Sequence, residues 1–201
     1  MQRLFVGLEL SDPVRQALLA PRAGVEGARW QRDDQLHLTL AFIGMVDSHA
    51  HAEIVGELSR IPVAPFEMRL TGVGFFGKPG QPKALWAGVS DDGGLTRLHE
   101  KVCRALDRAG APYEKRKFKP HVTLARFRRG AGARIGNWLN ANEQLASPVE
   151  TVQHFTLFSS TLTDEGSVYH TQARFGRAPG LDAEDETLEA AGEAMAAAFN
   201  R

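Results

Sequence analysis

A chain of 201 residues, 43% of them hydrophobic, can bury one continuous core, and 24% charged residues is the content of an ordinary globular domain. Formal charge cancels overall but not locally. Residues 181–201 hold six acids and one base, leaving 23 basic against 18 acidic residues in the first 180, which favours an anionic substrate but not a long duplex footprint. A lone cysteine, Cys103, excludes an intrachain disulfide. Glu9 and Asp12 interrupt any signal-peptide pattern, and no apolar run approaches the ~20 residues of a membrane span. A soluble, cytoplasmic monomer is the expectation.

Arg3–Leu10 alternates as a strand, and Ser11-Asp12-Pro13 opens a helix to about Leu19. Trp30 and Leu36–Ile43 read as strands, the second ended by Gly44, and Ser48–Arg60 reads as a helix. Phe66–Phe76 is a strand whose Gly72 and Gly74 predict a bulge or bend. A turn-rich segment, 77–82, leads to the strand Leu85–Ser90. Leu95, Leu98, Val102 and Leu106 form one stripe of a helix over Leu95–Ala109 that Gly110 stops. A basic loop, the strand His121–Phe127, a helix over Ala133–Leu145, and strands over Val149–Ser159 and Val168–Phe175 complete the order.

The two halves repeat the order strand, helix, strand, helix, strand, with His37 and His121 opening the middle strand of each. That predicts an internal duplication over residues 1–180. The fold class is α+β: two pseudo-symmetric lobes of largely antiparallel sheet, with outer helices, around a central cleft. Residues 181–201, acidic and then alanine-rich, read as an appendage without chemistry.

The tetrapeptide His-x-Thr-Leu occurs at 37–40, 121–124 and 154–157, against about 0.04 matches expected from composition. On a strand, residues i and i+2 share a face, so His37 with Thr39, and His121 with Thr123, face a cleft while Leu38, Leu40, Val122 and Leu124 bury. Two facing imidazoles suit in-line displacement at phosphorus, one taking the proton of the attacking water and the other protonating the leaving oxygen. The threonine hydroxyls are placed to hold non-bridging oxygens.

His154 aligns with Thr71 in the duplication, outside the motif slot, and reads as a coincidental strand histidine. A zinc site of His37, His121 and His154 is the rival reading; ligand identity allows it, but no ligand spacing supports it. Lys115, Arg116, Lys117, Lys119, Arg126, Arg128 and Arg129 make the second motif strongly basic, most of them as a solvated loop. Arg126 is the candidate phosphate clamp, although strict alternation puts it on the face opposite His121. Of the aromatics able to stack a base, Phe42 and Trp30 read as core and Phe76 stands beside the glycine-rich turn.

These residues resemble the bacterial and archaeal RNA 2′,3′-cyclic phosphodiesterases, or 2′-5′ RNA ligases, of the two-histidine phosphoesterase superfamily. The resemblance runs over about residues 1–176, through Arg-Leu-Phe-Val-Gly-Leu (3–8), Trp30, Leu-His-Leu-Thr-Leu-Ala-Phe-Ile-Gly (36–44), Leu-Trp-Ala-Gly-Val (85–89), Lys-Pro-His-Val-Thr-Leu-Ala-Arg (119–126), Leu-Phe-Ser-Ser (157–160) and Tyr169. It implies a bilobal fold, no metal or other cofactor, His37 as proton donor to a leaving 3′ oxygen and His121 as the acceptor that activates water. It further implies Thr39, Thr123 and Arg126 as phosphate ligands, RNA 3′ ends bearing a 2′,3′-cyclic phosphate as substrate, a 2′-phosphate product, and reversal as 2′-5′ ligation. The alternatives are a phosphodiesterase of a small cyclic nucleotide such as ADP-ribose cyclic phosphate, and a nucleotide-binding module without chemistry. The acidic tail departs from the family pattern.

Overall fold

The computed structural model describes residues 1–128, 132–163 and 166–176. Its elements in chain order are β1 (Gln2–Glu9), α1 (Asp12–Ala17), β2 (Arg29–Trp30), β3 (His37–Val46), α2 (Ser48–Ser59), β4 (Phe66–Lys78) and β5 (Gln81–Asp91). They continue with α3 (Gly94–Arg108), β6 (His121–Arg126), α4 (Gly136–Ala141), β7 (Glu150–Val152), β8 (His154–Thr163) and β9 (Gly166–Gly176). All strand pairs are antiparallel, in the order β7-β4-β5-β6-β3-β1-β8-β9, with β2 added beside β6. This is the expected α+β class, a curled, mostly antiparallel sheet with helices packed against it.

The sheet divides at its middle. Strands β3 and β6 share one ladder rung, Leu38 against Val122, both with 0% exposure. One lobe is β7-β4-β5-β6 and the other is β3-β1-β8-β9. The lobes do not follow the chain order of the expected duplication, because β4 pairs with β5 in one lobe and β8 with β1 in the other. Pro79-Gly80 is all that separates β4 from β5, so a two-residue hairpin turn holds β4 against the second half's first strand. Likewise the expected single strand over 149–159 breaks at Gln153. Its first part, β7, pairs with β4, and its second, β8, pairs with β1 in the opposite lobe.

The motif strands bury Leu38, Leu40, Val122 and Leu124 in one core cluster with Leu95, Leu98, Val102 and Leu106 of α3 and Ile54 and Leu58 of α2. The leucine stripe read from the sequence is therefore the face that seats α3 on the sheet. The bulge predicted near Gly72 is present, as a register shift between Leu70 and Val73. Three expectations need correction. Gly44, at φ 93°, does not end β3, which runs on to Val46 past a second bulge at Ile43. The helix expected over 133–145 is limited to Gly136–Ala141, as a segment rich in asparagine and glycine favours. The proposed boundary at 180 and the acidic tail lie outside the described residues.

Strand β1 lies close to β3 at Gly7, where a Cβ would stand 2.8 Å from the Leu38 carbonyl oxygen and 3.5 Å from the Phe158 ring. Gly7→Ala is expected to cost about 1–3 kcal/mol by pushing β1 off β3. Urea unfolding measures this, and an unchanged midpoint would show that the two strands have room to separate.

Candidate active site

The Leu38–Val122 rung stands between His37 and Thr39 on β3 and between His121 and Thr123 on β6, so both motifs flank the one point where the two strands touch. The two imidazoles lie close enough that His121 adds to the repulsion opposing protonation of His37. Both lie on the face away from α3, as period-two alternation requires. The two motifs therefore meet at the junction of β3 and β6.

Just beyond each motif the alternation breaks. Thr39 pairs with Gly7 and Ala41 with Val6, so Leu40 is an extra residue in β3. Thr123 pairs with Trp86 and Ala125 with Leu85, so Leu124 is an extra residue in β6. A bulge of one residue inverts the parity of everything beyond it. Phe42 and Arg126, each five residues after its histidine, thereby turn back into the cleft. This removes the objection to Arg126 raised by strict alternation. It also corrects the reading of Phe42 as core, since Phe42 is half-buried and lines two adjoining cavities at the cleft.

Each imidazole is held by the main chain two residues upstream. His37 Nδ1 lies 2.8 Å from the Gln35 carbonyl oxygen, and His121 Nδ1 lies 2.6 Å from that of Lys119. A carbonyl can only accept, so Nδ1 carries the proton in both neutral rings and Nε2 is left as the basic atom. His37 Nε2 accepts from Thr39 Oγ1 at 3.1 Å. Aromatic rings box the first imidazole: Phe5 at 4.8 Å, Tyr169 edge-on at 5.0 Å, and Phe158 at 6.2 Å between centroids. The second has Phe76 edge-on at 4.9 Å and Trp86 at 6.3 Å. Lys119 Nζ lies 4.1 Å from the Trp86 ring centre, a cation–π contact that pins an ammonium at the rim.

Burial is the largest influence on both imidazoles. It pulls His37 from 6.5 to about 4 against the opposing Gln35 carbonyl, with further repulsion from Arg126 and His121. His121 is also lowered by burial, against the Lys119 carbonyl, with Arg116, Arg126 and Lys119 adding repulsion. Arg126 opposes protonation of both rings, and its exposed side chain lines two cavities.

The other sequence candidates separate from this centre. His154 Nε2 faces Glu9 at 3.4 Å, and the same carboxylate is clamped by Arg174 at 2.8 and 2.9 Å. Among the described residues, no three histidine, cysteine, aspartate or glutamate side chains form a group able to hold a metal ion, so His37, His121 and His154 do not make the rival ligand set. Trp30 pairs through β2 with Ala125 and packs on Trp138 at 6.1 Å. In the basic stretch, Lys115 pairs with Asp107 and Arg116 with Glu114, while Arg129 lies outside the described residues. Sequence reading missed His99, Glu114 and Phe118, which line the cavity beside Thr39 and His121; a lone helical histidine and a loop phenylalanine carry no pattern that signals it.

The depressed value at His37 makes a prediction about acid stability. The unfolded imidazole protonates near 6.5 and the folded one near 4, so the contribution is complete above pH 6.5 and is lost as pH falls from 6.5 towards 4. The upper bound is roughly 3 kcal/mol, because one edge of the ring opens on the cleft. NMR titration is expected to show both motif histidines protonating below 6.5, with His37 the lower. The melting temperature of His37→Gln is expected to fall less than that of the wild type between pH 7 and pH 4.5. Equal falls would place the acid-sensitive group elsewhere.

Known proteins share both this sequence and this fold. The RNA 2′,3′-cyclic phosphodiesterase of Archaeoglobus fulgidus is 33% identical over 170 residues, covering 83% of this chain and 96% of the relative. That of Aeropyrum pernix is 37% identical over 142 residues, covering 69% and 80%. The crystal structure of TT0787 of Thermus thermophilus superposes with a TM-score of 0.72 at 28% identity, covering 87% of this chain and 97% of that one. Escherichia coli LigT in its apo form gives 0.69 at 27% identity, with coverage of 87% and 96%. The sequence pattern of the 2′-5′ RNA ligase superfamily matches residues 11–167, and the chain belongs to that superfamily.

Proposed function

We propose that this protein opens the 2′,3′-cyclic phosphate at an RNA 3′ end by hydrolysis, with His37 and His121 as acid and base and no metal in any step. The observation that carries the reading is the pair of imidazoles with matched tautomers, brought together by one ladder rung and overlooked by the cationic Arg126. Several relatives named RNA 2′,3′-cyclic phosphodiesterase support the substrate class, and E. coli LigT has been crystallised with 3′-AMP.

In this reading His121 Nε2 takes a proton from water as the water oxygen bonds to phosphorus. The bond from phosphorus to the 3′ oxygen breaks on the opposite side, and His37 Nε2 delivers a proton to that oxygen, leaving a 3′-hydroxyl and a 2′-phosphate. Thr39, Thr123 and Arg126 hold the non-bridging oxygens as charge develops on them. Both imidazoles favour the neutral form in the free protein, so His37 needs help to carry its proton. The substrate supplies it: a cyclic phosphate is an anion, and its approach stabilises an imidazolium beside it. The same site run backwards joins a cyclic phosphate to a 5′-hydroxyl as a 2′-5′ bond, with water at high concentration favouring hydrolysis.

Product identity, mutant kinetics and pH dependence each test this scheme. An oligoribonucleotide ending in a 2′,3′-cyclic phosphate is expected to yield a 2′-phosphate with EDTA present; a 3′-phosphate, or turnover that returns only with added metal, overturns the mechanism. His37→Ala and His121→Ala are each expected to lower kcat by roughly 10²–10⁴-fold with the fold intact, whereas Arg126→Ala should chiefly raise KM. Finally, kcat/KM reports the free protein, whose productive form carries one proton on the pair, so it should fall as pH rises above the lowered histidine values. The limb in kcat should lie at higher pH, because bound phosphate holds the proton. Coincident limbs would remove the substrate from that role.

A further inference from the structure

The bulges that turn Phe42 and Arg126 into the cleft also leave two main-chain carbonyls, of Leu40 and Leu124, outside the ladder pairing. A buried carbonyl needs a donor, and the two lobes supply different ones. Leu124 O accepts from the main-chain amide of Gln31 at 2.8 Å, just past β2. In the other lobe the segment in the corresponding place is the basic loop, whose Glu114 amide reaches β3 at the Phe42 carbonyl, 3.0 Å away. The Leu40 carbonyl accepts instead from a side chain, Nδ1 of His99 on α3, at 3.0 Å.

His99 is committed on its other sides as well. Cys103 Sγ lies against the ring, 3.8 Å from Nδ1 and 3.6 Å from Nε2. The ring stacks flat on Phe118, with centroids 4.0 Å apart and planes 5° from parallel. Phe118 sits between Lys117 and Lys119, and this loop lines one cavity together with Thr39, Phe42 and His121. One imidazole therefore joins the β3 bulge to the cationic loop.

We propose that His99 is a positioning residue for the cleft. Its Nδ1–H holds the Leu40 bulge, and so the aim of Thr39 and Phe42. Its ring seats Phe118, and so the loop that carries Lys117 and Lys119. Without the donor, the Leu40 carbonyl loses its partner and the bulge its anchor, so Thr39 and Phe42 lose their aim. The inference rests on reading the cleft as the catalytic centre.

Two substitutions separate the two contacts. His99→Phe keeps the stack and loses the donor, while His99→Asn keeps an N–H donor near the Nδ1 position and loses the ring. His99→Phe is expected to lower kcat on the cyclic-phosphate oligoribonucleotide roughly 10–100-fold with KM changed less than about 3-fold. His99→Asn is expected to raise KM roughly 3–10-fold with kcat nearly held. Equal losses in both constants for both variants, or no loss, overturn the proposal. If His99→Phe fails to fold, His99→Asn decides: kcat held with KM raised supports the assignment, and a tenfold loss of kcat refutes it. A crystal structure of His99→Phe gives a readout without substrate. A displaced Leu40 bulge, with Thr39 and Phe42 turned from their wild-type positions, supports the proposal, and an unchanged bulge overturns it. Absence of turnover in the wild type defeats the catalytic reading, and the position of the bulge then decides the structural claim alone.

Discussion

Strands β3 and β6 touch through a single pair of residues, Leu38 and Val122, and the cleft depends on how little they share. A longer ladder would close the sheet flat and press the two motif faces against their neighbours. Because the pairing stops after one rung, β3 diverges and the short β2 takes its place beside β6 at Ala125 and Arg126. The lobes splay from that point, and the imidazoles sit at the apex. Burying Leu38 and Val122 completely against the helix layer makes so short a junction tolerable, since the core beneath it is continuous across both lobes. The exchange of β4 and β8 between the halves adds two covalent crossings to the same junction.

Placing two histidines at the apex has an electrostatic consequence. Rings, strands and one another shield them from water, and Arg126 repels protonation of both. The resting cleft is therefore a pair of neutral bases under a positive field, an arrangement that waits for an anion. Main-chain carbonyls fix the tautomer, so the basic nitrogen of each ring is already the one facing the cleft when the anion arrives. Little reorganisation remains to be done during the reaction, which is where preorganised polar sites gain over water.

Much of this was legible in the sequence because it is periodic. The His-x-Thr alternation, the leucine stripe of α3 and the repeated order of elements are local patterns, and they located His37, Thr39, His121, Thr123 and the sheet-and-helix layering. What escaped depends on contacts between distant segments. A bulge is a count of residues against a partner strand, so nothing in Leu-Ala-Phe or Leu-Ala-Arg shows that parity inverts there. Hence Phe42 read as core and Arg126 as facing the wrong way. The split of the expected 149–159 strand at Gln153 is a change of partner rather than of propensity. His99 was invisible for the same reason, because its meaning comes from the Leu40 carbonyl, 59 residues away.

The cleft is not symmetric where symmetry would be a disadvantage. Its two halves agree in the backbone devices: a histidine held from two residues upstream, a threonine two residues on, and a bulge at the next leucine. They differ at the first side chain that the bulge returns to the cleft, which is Phe42 in one lobe and Arg126 in the other. Phe42 brings a flat apolar ring and Arg126 a cation to the cavity they share, so the two motif strands contribute different chemistry to it. A nucleotide end has a flat base on one side and an anion on the other, so two identical walls would bind it equally well in two opposite directions. In the proposed reaction, only one direction presents the leaving oxygen to His37. The difference between Phe42 and Arg126 thus contributes, in that reaction, to giving a pair of like residues a direction.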